Sequence, residues 1–294
     1  MDWHYCASGR RPANNWNGVQ SHRQERAMPS PFDFTGKSVF VAGGTSGINL
    51  GIADAYAAAG ANVAVMSRNP ERVAAAAAQL TRHGRQSLGL VGDVRNMDVV
   101  MRNVAAAHQA FGDIDVLVSG AAGNFLSTAL NLSSNGFKAV VDIDLIGTFH
   151  VLRASFDYLR RPGASIINIS APQSVSPTPM QAHVCAAKAG LDQVMRVLAL
   201  EWGPYGVRVN SIMPGPIEGT VGVQKLVPPS ERPDVEARIP LRRFGTLDDV
   251  AQMALFLGSA YASYVTGALI PVDGGISLLG GRNYAGEPPP TPRA

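Results

Sequence analysis

Between an apolar run, Val39-Phe40-Val41-Ala42, and an Ala-rich helix-forming run, the chain carries Gly43-Gly44-Thr45-Ser46-Gly47-Ile48-Asn49-Leu50-Gly51. Glycines in such a turn let the backbone approach phosphate oxygens, and a helix that starts just after it offers free N–H groups and the positive end of its dipole. Gly-rich turns also serve as plain connectors, so position has to discriminate. Here a β-type run precedes the turn, a helix follows it, and a second β-type run, Asn62-Val63-Ala64-Val65-Met66, comes next. That order predicts a pyrophosphate cradle of a dinucleotide, with Gly43, Thr45, Ser46, Gly47 and Ile48 as its contacting residues.

The elements that must hold this turn alternate along the whole chain. A helix from about Ile48 to Ala59 stops at Gly60, and strand 2 ends in Ser67-Arg68. Pro70 opens a second helix, Glu71 to Leu80. Ser87 to Val91 reads as strand 3, ending at Asp93-Val94; Met97 to Phe111 as helix; Val116 to Val118 as strand 4, followed by a small-residue loop, Ser119 to Phe125. A long helix, Asn135 to Leu159, is broken by Arg161-Pro162-Gly163. Strand 5 is Ser165 to Ile169, a helix runs from about Gln181 to Trp202, and strand 6 is Val207 to Ile212. Residues 217–245 look irregular and rich in proline; Thr246 caps a helix, Leu247 to Leu257, and Ala268 to Val272 is the last strand.

Seven strands alternating with helices predict an α/β fold: a Rossmann-like, doubly wound, seven-stranded parallel sheet in a single domain. Ligands of such sheets lie at the carboxyl ends of the strands, where strand order reverses. This gathers the Gly-rich turn, Ser67-Arg68, Asp93, Asn124, Ser170 and Pro214-Gly215 on one edge, with 217–245 as the expected lid. The domain is expected over 31–281, between an unstructured extension at 1–30 and a tail at 282–294.

Charge bears on partners. The net charge of +3 comes from the two ends: four Arg against Asp2 and Glu25 in residues 1–30, and Arg282 and Arg293 against Glu287 at the C-terminus, leave the body neutral. A neutral body without a basic stripe argues against nucleic acid as a partner. No apolar run is long enough to span a bilayer, so no membrane partner is expected. The two cysteines, Cys6 and Cys185, form no disulfide framework and suit a reducing compartment. Arg10-Arg11 lacks a following apolar segment, and Pro292-Arg293-Ala294 is no peroxisomal address, so the expected location is cytoplasmic.

Sites that prefer NAD usually carry an acidic residue about 20 residues past the turn. Here that point is Ser67-Arg68, and a guanidinium can pair with the 2′-phosphate of NADP. The alternative is a solvated surface arginine. Asp93 is placed to accept from the adenine amino group.

With Gly43-x-x-x-Gly47-Ile48, Asp93-Val94, Ala121-Ala122-Gly123, Lys188, Pro214-Gly215-Pro216-Ile217 and Asp273-Gly274-Gly275, the sequence resembles the short-chain dehydrogenase/reductases over about 31–281. The resemblance adds Val94, Ala121, Ala122, Gly123, Ile169, Lys188, Pro214, Gly215, Ile217 and Thr220 to the cofactor-binding set. The usual active site of that family is a Ser, a Tyr, a Lys four residues after the Tyr, and an Asn on the long fourth helix. Here Val184 stands four residues before Lys188, Ala171 at the Ser position and Asp144 at the Asn position. A ketone reductase needs a phenol to exchange a proton with the alcohol oxygen, and Val184 cannot supply one; a displaced group such as His183 is the open alternative.

One branch of the family, the 2,4-dienoyl-CoA reductases and above all their peroxisomal type, looks closer still. The matching residues include Ala121 to Leu126, Asp142-Ile143-Asp144, His183 to Lys188, Glu201-Trp202-Gly203-Pro204 and Ala262 to Gly267. The resemblance implies an NADP(H)-dependent reductase whose small-molecule substrate is a conjugated acyl-CoA thioester, with hydride passing to the unsaturated acyl chain, Asp144 and Lys188 carrying the chemistry and Asn124 a donor near the thioester. It also implies a homotetramer built on the two long helices. Other readings stay open: a short-chain dehydrogenase of another carbonyl or hydroxyacyl substrate, or a non-catalytic dinucleotide-binding protein. Asn49, standing where most relatives have the third glycine of the turn, favours the last.

Overall fold

The computed structural model describes residues 32–279; the expected extension at 1–30 and tail at 282–294 lie outside the described residues. Seven parallel strands are ordered β3-β2-β1-β4-β5-β6-β7. They are β1 (Ser38–Ala42), β2 (Asn62–Ser67), β3 (Ser87–Val91), β4 (Val116–Ser119), β5 (Ser165–Ile169), β6 (Arg208–Pro214) and β7 (Leu269–Val272). Strand order reverses between β1 and β4, which pair in register from Val39↔Val116 to Ala42↔Ser119. The crevice at their carboxyl ends is therefore the ligand-binding position of such a sheet.

Strand periodicity divides the apolar residues between two cores. Val39, Val41, Ile167 and Ile169 pack beneath α1 (Gly47–Ala58), α2 (Pro70–Thr81) and, further along the chain, a helix beginning at Leu247. Phe40, Ala42 and Ile166 point the other way, toward α3 (Met97–Phe111) and two later helices. Burial on both faces explains why the strands read as continuous apolar runs.

The long helix expected over 135–159 is a composite: α4 (Ser134–Val141), a π-helical turn (Asp142–Ile146), α5 (Gly147–Ser155) and a 3₁₀ turn ending at Tyr158. The Gly147 N–H bonds the Asp142 carbonyl, one residue further back than an α-helix allows. Gly147 also backs onto Val94, whose Cγ2 would lie 2.5 Å from a side chain there. Neither feature has a periodicity signal. The next helix, α6 (Ala182–Trp202), follows the expectation closely.

Segment 217–245 is less irregular than its prolines suggest. It holds α7 (Val221–Leu226), capped by Thr220, and α8 (Arg232–Arg238), which has proline in its first turn. Pro233 starts a helix rather than breaking one, because the first-turn N–H is unused in any case. The ends of the segment are pinned together: Ile217 and Gly245 form a β-bridge, the Glu218 N–H donates to the Gly245 carbonyl at 2.8 Å, and the Gly245 N–H to the Pro216 carbonyl at 3.0 Å. α9 (Leu247–Gly258) then starts on a capping box between Thr246 and Asp249.

Candidate active site

The Gly-rich turn follows β1 at the reversal point. Gly43 has φ of 79°, and a side chain there would lie 2.8 Å from the Ala121 nitrogen, so the turn packs directly on the loop after β4. Gly47 has φ of 53°, and a side chain there would meet only Thr220 Cγ2 at 3.8 Å. Space is thus open in front of the α1 N-terminus. Its N-cap, Ser46, makes no side-chain capping bond, and no acidic residue occupies the first turn. Unclaimed N–H groups facing open space, with no negative charge beside them, fit a dinucleotide pyrophosphate.

Arg68 is exposed at the end of β2 and makes no hydrogen bond or ion pair with another described residue. Ser67, with which it was paired in the sequence, is half-buried. Asp93 is different from its expectation. Arg95 grips it, donating from Nε to Oδ1 at 3.0 Å and from Nη2 to Oδ2 at 2.6 Å. These bonds hold the Asp93 carboxyl below its ordinary range, against a smaller opposing effect of burial. Any contact with an adenine amino group must share this carboxylate with Arg95. Val94 is a buried core residue whose carbonyl lies 2.9 Å from His150 Nδ1.

Asp144 and Lys188 come together at the crevice. Asp144 lies inside the π-helical turn and is 1% exposed; Lys188, on α6, is 5% exposed. Lys188 Nζ stands 3.3 Å from Asp144 Oδ2 and donates to the Ile169 carbonyl at 2.9 Å. Asp144 Oδ1 accepts from the Gly123 N–H at 2.7 Å, while Oδ2 has no hydrogen bond among the described residues. The pair is an ion pair rather than a hydrogen bond, with one carboxylate oxygen in reserve. Thr148 Oγ1 donates to the Asp144 carbonyl at 2.8 Å and anchors the turn. π-helical turns recur at functional sites because the extra residue turns a side chain that α-helical spacing would aim elsewhere.

The loop bearing Ala121, Ala122 and Gly123 thus hangs on Asp144. Asn124 and Phe125, next along it, are exposed, and Asn124 makes no hydrogen bond with a described residue. Phe125 packs against His183 with ring centroids 4.4 Å apart and the rings tilted by 40°. His183 is fully buried, and neither ring nitrogen finds a hydrogen-bond partner among the described residues. Val184 is buried at 3% beside Val140 and Ala187, so no hydroxyl stands in the place of the family's Tyr.

On the far side, Pro214 ends β6, and Gly215 packs so closely that a side chain would lie 2.7 Å from Asp273 Cα. Ile217 is a core residue at 2% exposure. Only its backbone can face a cofactor. Thr220 bonds back to the Ile217 carbonyl at 2.7 Å, with its methyl toward Gly47. Sequence reasoning missed the Thr148 hydroxyl and placed Gly123, Ile169 and Ser170 at this edge without their bonds: the Gly123 N–H to Asp144, the Ile169 carbonyl from Lys188, and the Ser170 hydroxyl to buried Asp192 at 2.7 Å. Thr148 stands four residues after Asp144, a spacing that suits a hydroxyl-to-carbonyl bond; the backbone partners carry no sequence signal.

Comparison with known proteins bears on this geometry. Residues 42–277 match the family described as enoyl-(acyl carrier protein) reductase. The chain is 42% identical to the peroxisomal 2,4-dienoyl-CoA reductase [(3E)-enoyl-CoA-producing] of Arabidopsis thaliana, covering 88% of this chain and 92% of the relative. It is 43% identical to the protein of the same description from Rattus norvegicus, covering 81% and 83%. Among solved structures, a short chain dehydrogenase from Bacillus anthracis superimposes with a TM-score of 0.74 at 36% identity, covering 82% of this chain and 96% of its own. The plant and rat relatives are named as peroxisomal proteins, which overturns the expectation of a cytoplasmic location.

Proposed function

The chain belongs to the short-chain dehydrogenase/reductase family, and on that premise we propose that it is an NADPH-dependent reductase of conjugated acyl-CoA thioesters, of the 2,4-dienoyl-CoA reductase type. The observation that carries this reading is the buried Asp144–Lys188 pair beside Val184: an acid–base pair is retained while the phenol needed for alcohol chemistry is absent.

The cofactor-binding residues are the turn residues Gly43, Thr45, Ser46, Gly47 and Ile48, Arg68 for the 2′-phosphate, and the backbone around Ala121–Gly123, Ile169, Gly215, Ile217 and Thr220. Bound NADPH supplies a hydride to the far end of the diene. The residues of this chain manage the charge and proton that result. Negative charge arriving at the thioester oxygen needs a donor, for which Asn124 is the candidate. Lys188, fixed by the Ile169 carbonyl and Asp144, supplies positive charge at the nicotinamide ribose. Asp144 Oδ2, without a hydrogen bond, is the acceptor that can hold a water for protonation of the α-carbon. Protonation there leaves a 3-enoyl product, and no alcohol forms.

The same reading includes a homotetramer. Ile146 and Phe149, at and just after the π-helical turn, and Val197 and Leu200 on α6 expose apolar side chains, Leu200 at 80%. Their presence on the two helical runs that the family resemblance assigns to subunit contact supports that assembly. Among the described residues no helix is long and apolar enough to cross a membrane.

The test follows NADPH oxidation with 2,4-hexadienoyl-CoA, a 2-enoyl-CoA and a 3-ketoacyl-CoA in parallel. The dienoyl substrate is expected to turn over fastest. Turnover of the keto substrate alone refutes the proposal, and absence of both turnover and NADPH binding makes the chain a non-catalytic member of its family.

A further inference from the structure

Asn49 occupies the position of the third glycine, the feature that weakens the cofactor reading in the sequence. Its side chain has a defined place. Nδ2 donates to the Gly120 carbonyl at 2.7 Å and, more weakly, to the Gly43 carbonyl at 3.4 Å. The first acceptor lies just after β4 and the second in the Gly-rich turn, so one amide bridges the two sides of the crevice. The orientation is forced, because a flipped amide would set its oxygen against both carbonyls.

The space around this bridge is equally specific. A side chain at Gly120 would stand 2.1 Å from Asn49 Oδ1 and 2.5 Å from both Cγ and Nδ2. A methyl at residue 120 would displace the Asn49 amide and break its 2.7 Å bond to the Gly120 carbonyl. Glycine at residue 120 thus leaves the space that the Asn49 amide fills. The room lost at the helix is recovered at the strand end. Next to it, Gly43 rests on the Ala121 backbone, and the Gly120 N–H donates to the Ala42 carbonyl at 3.1 Å. Any change in the Asn49–Gly120 fit must move the phosphate turn relative to the loop hung on Asp144.

We propose that Asn49 and Gly120 form a size-matched clamp that sets the width of the switch-point crevice and thereby the affinity for NADPH. Asn49 is a positioning residue: its amide acts through the Gly43 and Gly120 carbonyls. The proposal rests on the NADPH-dependent reading and explains how that reading survives loss of the third glycine.

A double-mutant cycle tests it, using wild type, Asn49→Gly, Gly120→Ala and the double variant. NADPH dissociation constants are measured by calorimetry and unfolding midpoints without cofactor. Gly120→Ala is expected to raise the dissociation constant about tenfold or more, and Asn49→Gly about threefold to tenfold. The double variant is expected to bind NADPH more tightly than Gly120→Ala alone, because the added methyl then meets no amide. Additive losses overturn the clamp, as do shifts in unfolding midpoint with no change in NADPH affinity. Wild-type protein that binds no NADPH overturns the parent reading and the clamp together, whereas wild-type binding with an additive cycle overturns the clamp alone.

Discussion

Lys188 Nζ sits 3.3 Å from Asp144 Oδ2 in a pocket that leaves the two side chains 6% and 1% exposed. A buried pair of this kind costs desolvation on both partners, and removing one member strands the other. Asp144→Ala leaves the Lys188 ammonium without a counter-charge and the Gly123 N–H without its acceptor, and is expected to destabilise the fold by about 3–5 kcal/mol. Asp144→Asn keeps an acceptor for Gly123 while removing the charge. It is expected to fold, to hold NADPH within a few-fold of wild type, and to lose turnover by on the order of a hundredfold. Paired unfolding and steady-state measurements separate the two variants; wild-type turnover in Asp144→Asn removes the residue from the mechanism.

Arg68 is exposed and makes no hydrogen bond or ion pair among the described residues, its one internal interaction being a weak charge attraction to Asp93. Arg68→Ala is expected to leave the unfolding midpoint unchanged and to weaken NADPH binding by roughly 10- to 100-fold, the value of a charge-assisted phosphate contact. NADH binding is expected to change little. Equal losses for the two cofactors would remove Arg68 as the 2′-phosphate group.

Much of this was legible in the sequence, and the reasons differ by element. The strands and α1, α3, α6 and α9 follow from period, Gly and Pro stops and caps such as Thr246, all local effects. The π-helical turn that holds Asp144 was not legible, because its Gly147-to-Asp142 bond has no periodicity signal and the packing of Gly147 on Val94 is a contact across the fold. Pro233 misled because proline both ends and begins helices. Asp93 was placed on the correct edge, but its neighbour Arg95 already holds it. Asn49 departs from the glycine pattern in sequence, and its partner, the Gly120 carbonyl, is a backbone group with no sequence signal.

The α9 capping box gives a pH signature. The Arg243 guanidinium, helped by the Thr246 backbone and hydroxyl, holds the Asp249 carboxyl down at about 2, from an ordinary value of 3.8. A lowered carboxyl pKa contributes stability that is fully present above the unfolded value and is lost as pH falls through the folded one. Asp249→Asn is therefore expected to lower the unfolding midpoint by a constant amount above about pH 4, with the difference from wild type shrinking between about pH 4 and 2. Thr246→Ala is expected to cost about 1 kcal/mol. Thermal unfolding across that pH range checks both; a difference that persists unchanged at pH 2 would contradict the assignment.

The apolar residues on the outer side of α5 and α6 make the assembly testable. Phe149→Asp combined with Leu200→Asp puts charge into the proposed subunit contact without entering either core. Sedimentation is expected to show a tetramer for wild type and smaller species for the variant. A monomeric wild-type protein would assign those side chains to another role.

The central claim is that this site reduces a conjugated chain without making an alcohol, and the placement of label in the product tests it most directly. NADPH deuterated at its transferring position is oxidised with 2,4-hexadienoyl-CoA, and the product is located by NMR. The expected product is 3-hexenoyl-CoA carrying the deuterium on the distal carbon of the former diene. Failure to reduce the diene, with deuterium instead delivered to the carbonyl carbon of a 3-ketoacyl-CoA to give a hydroxyl, would contradict the account.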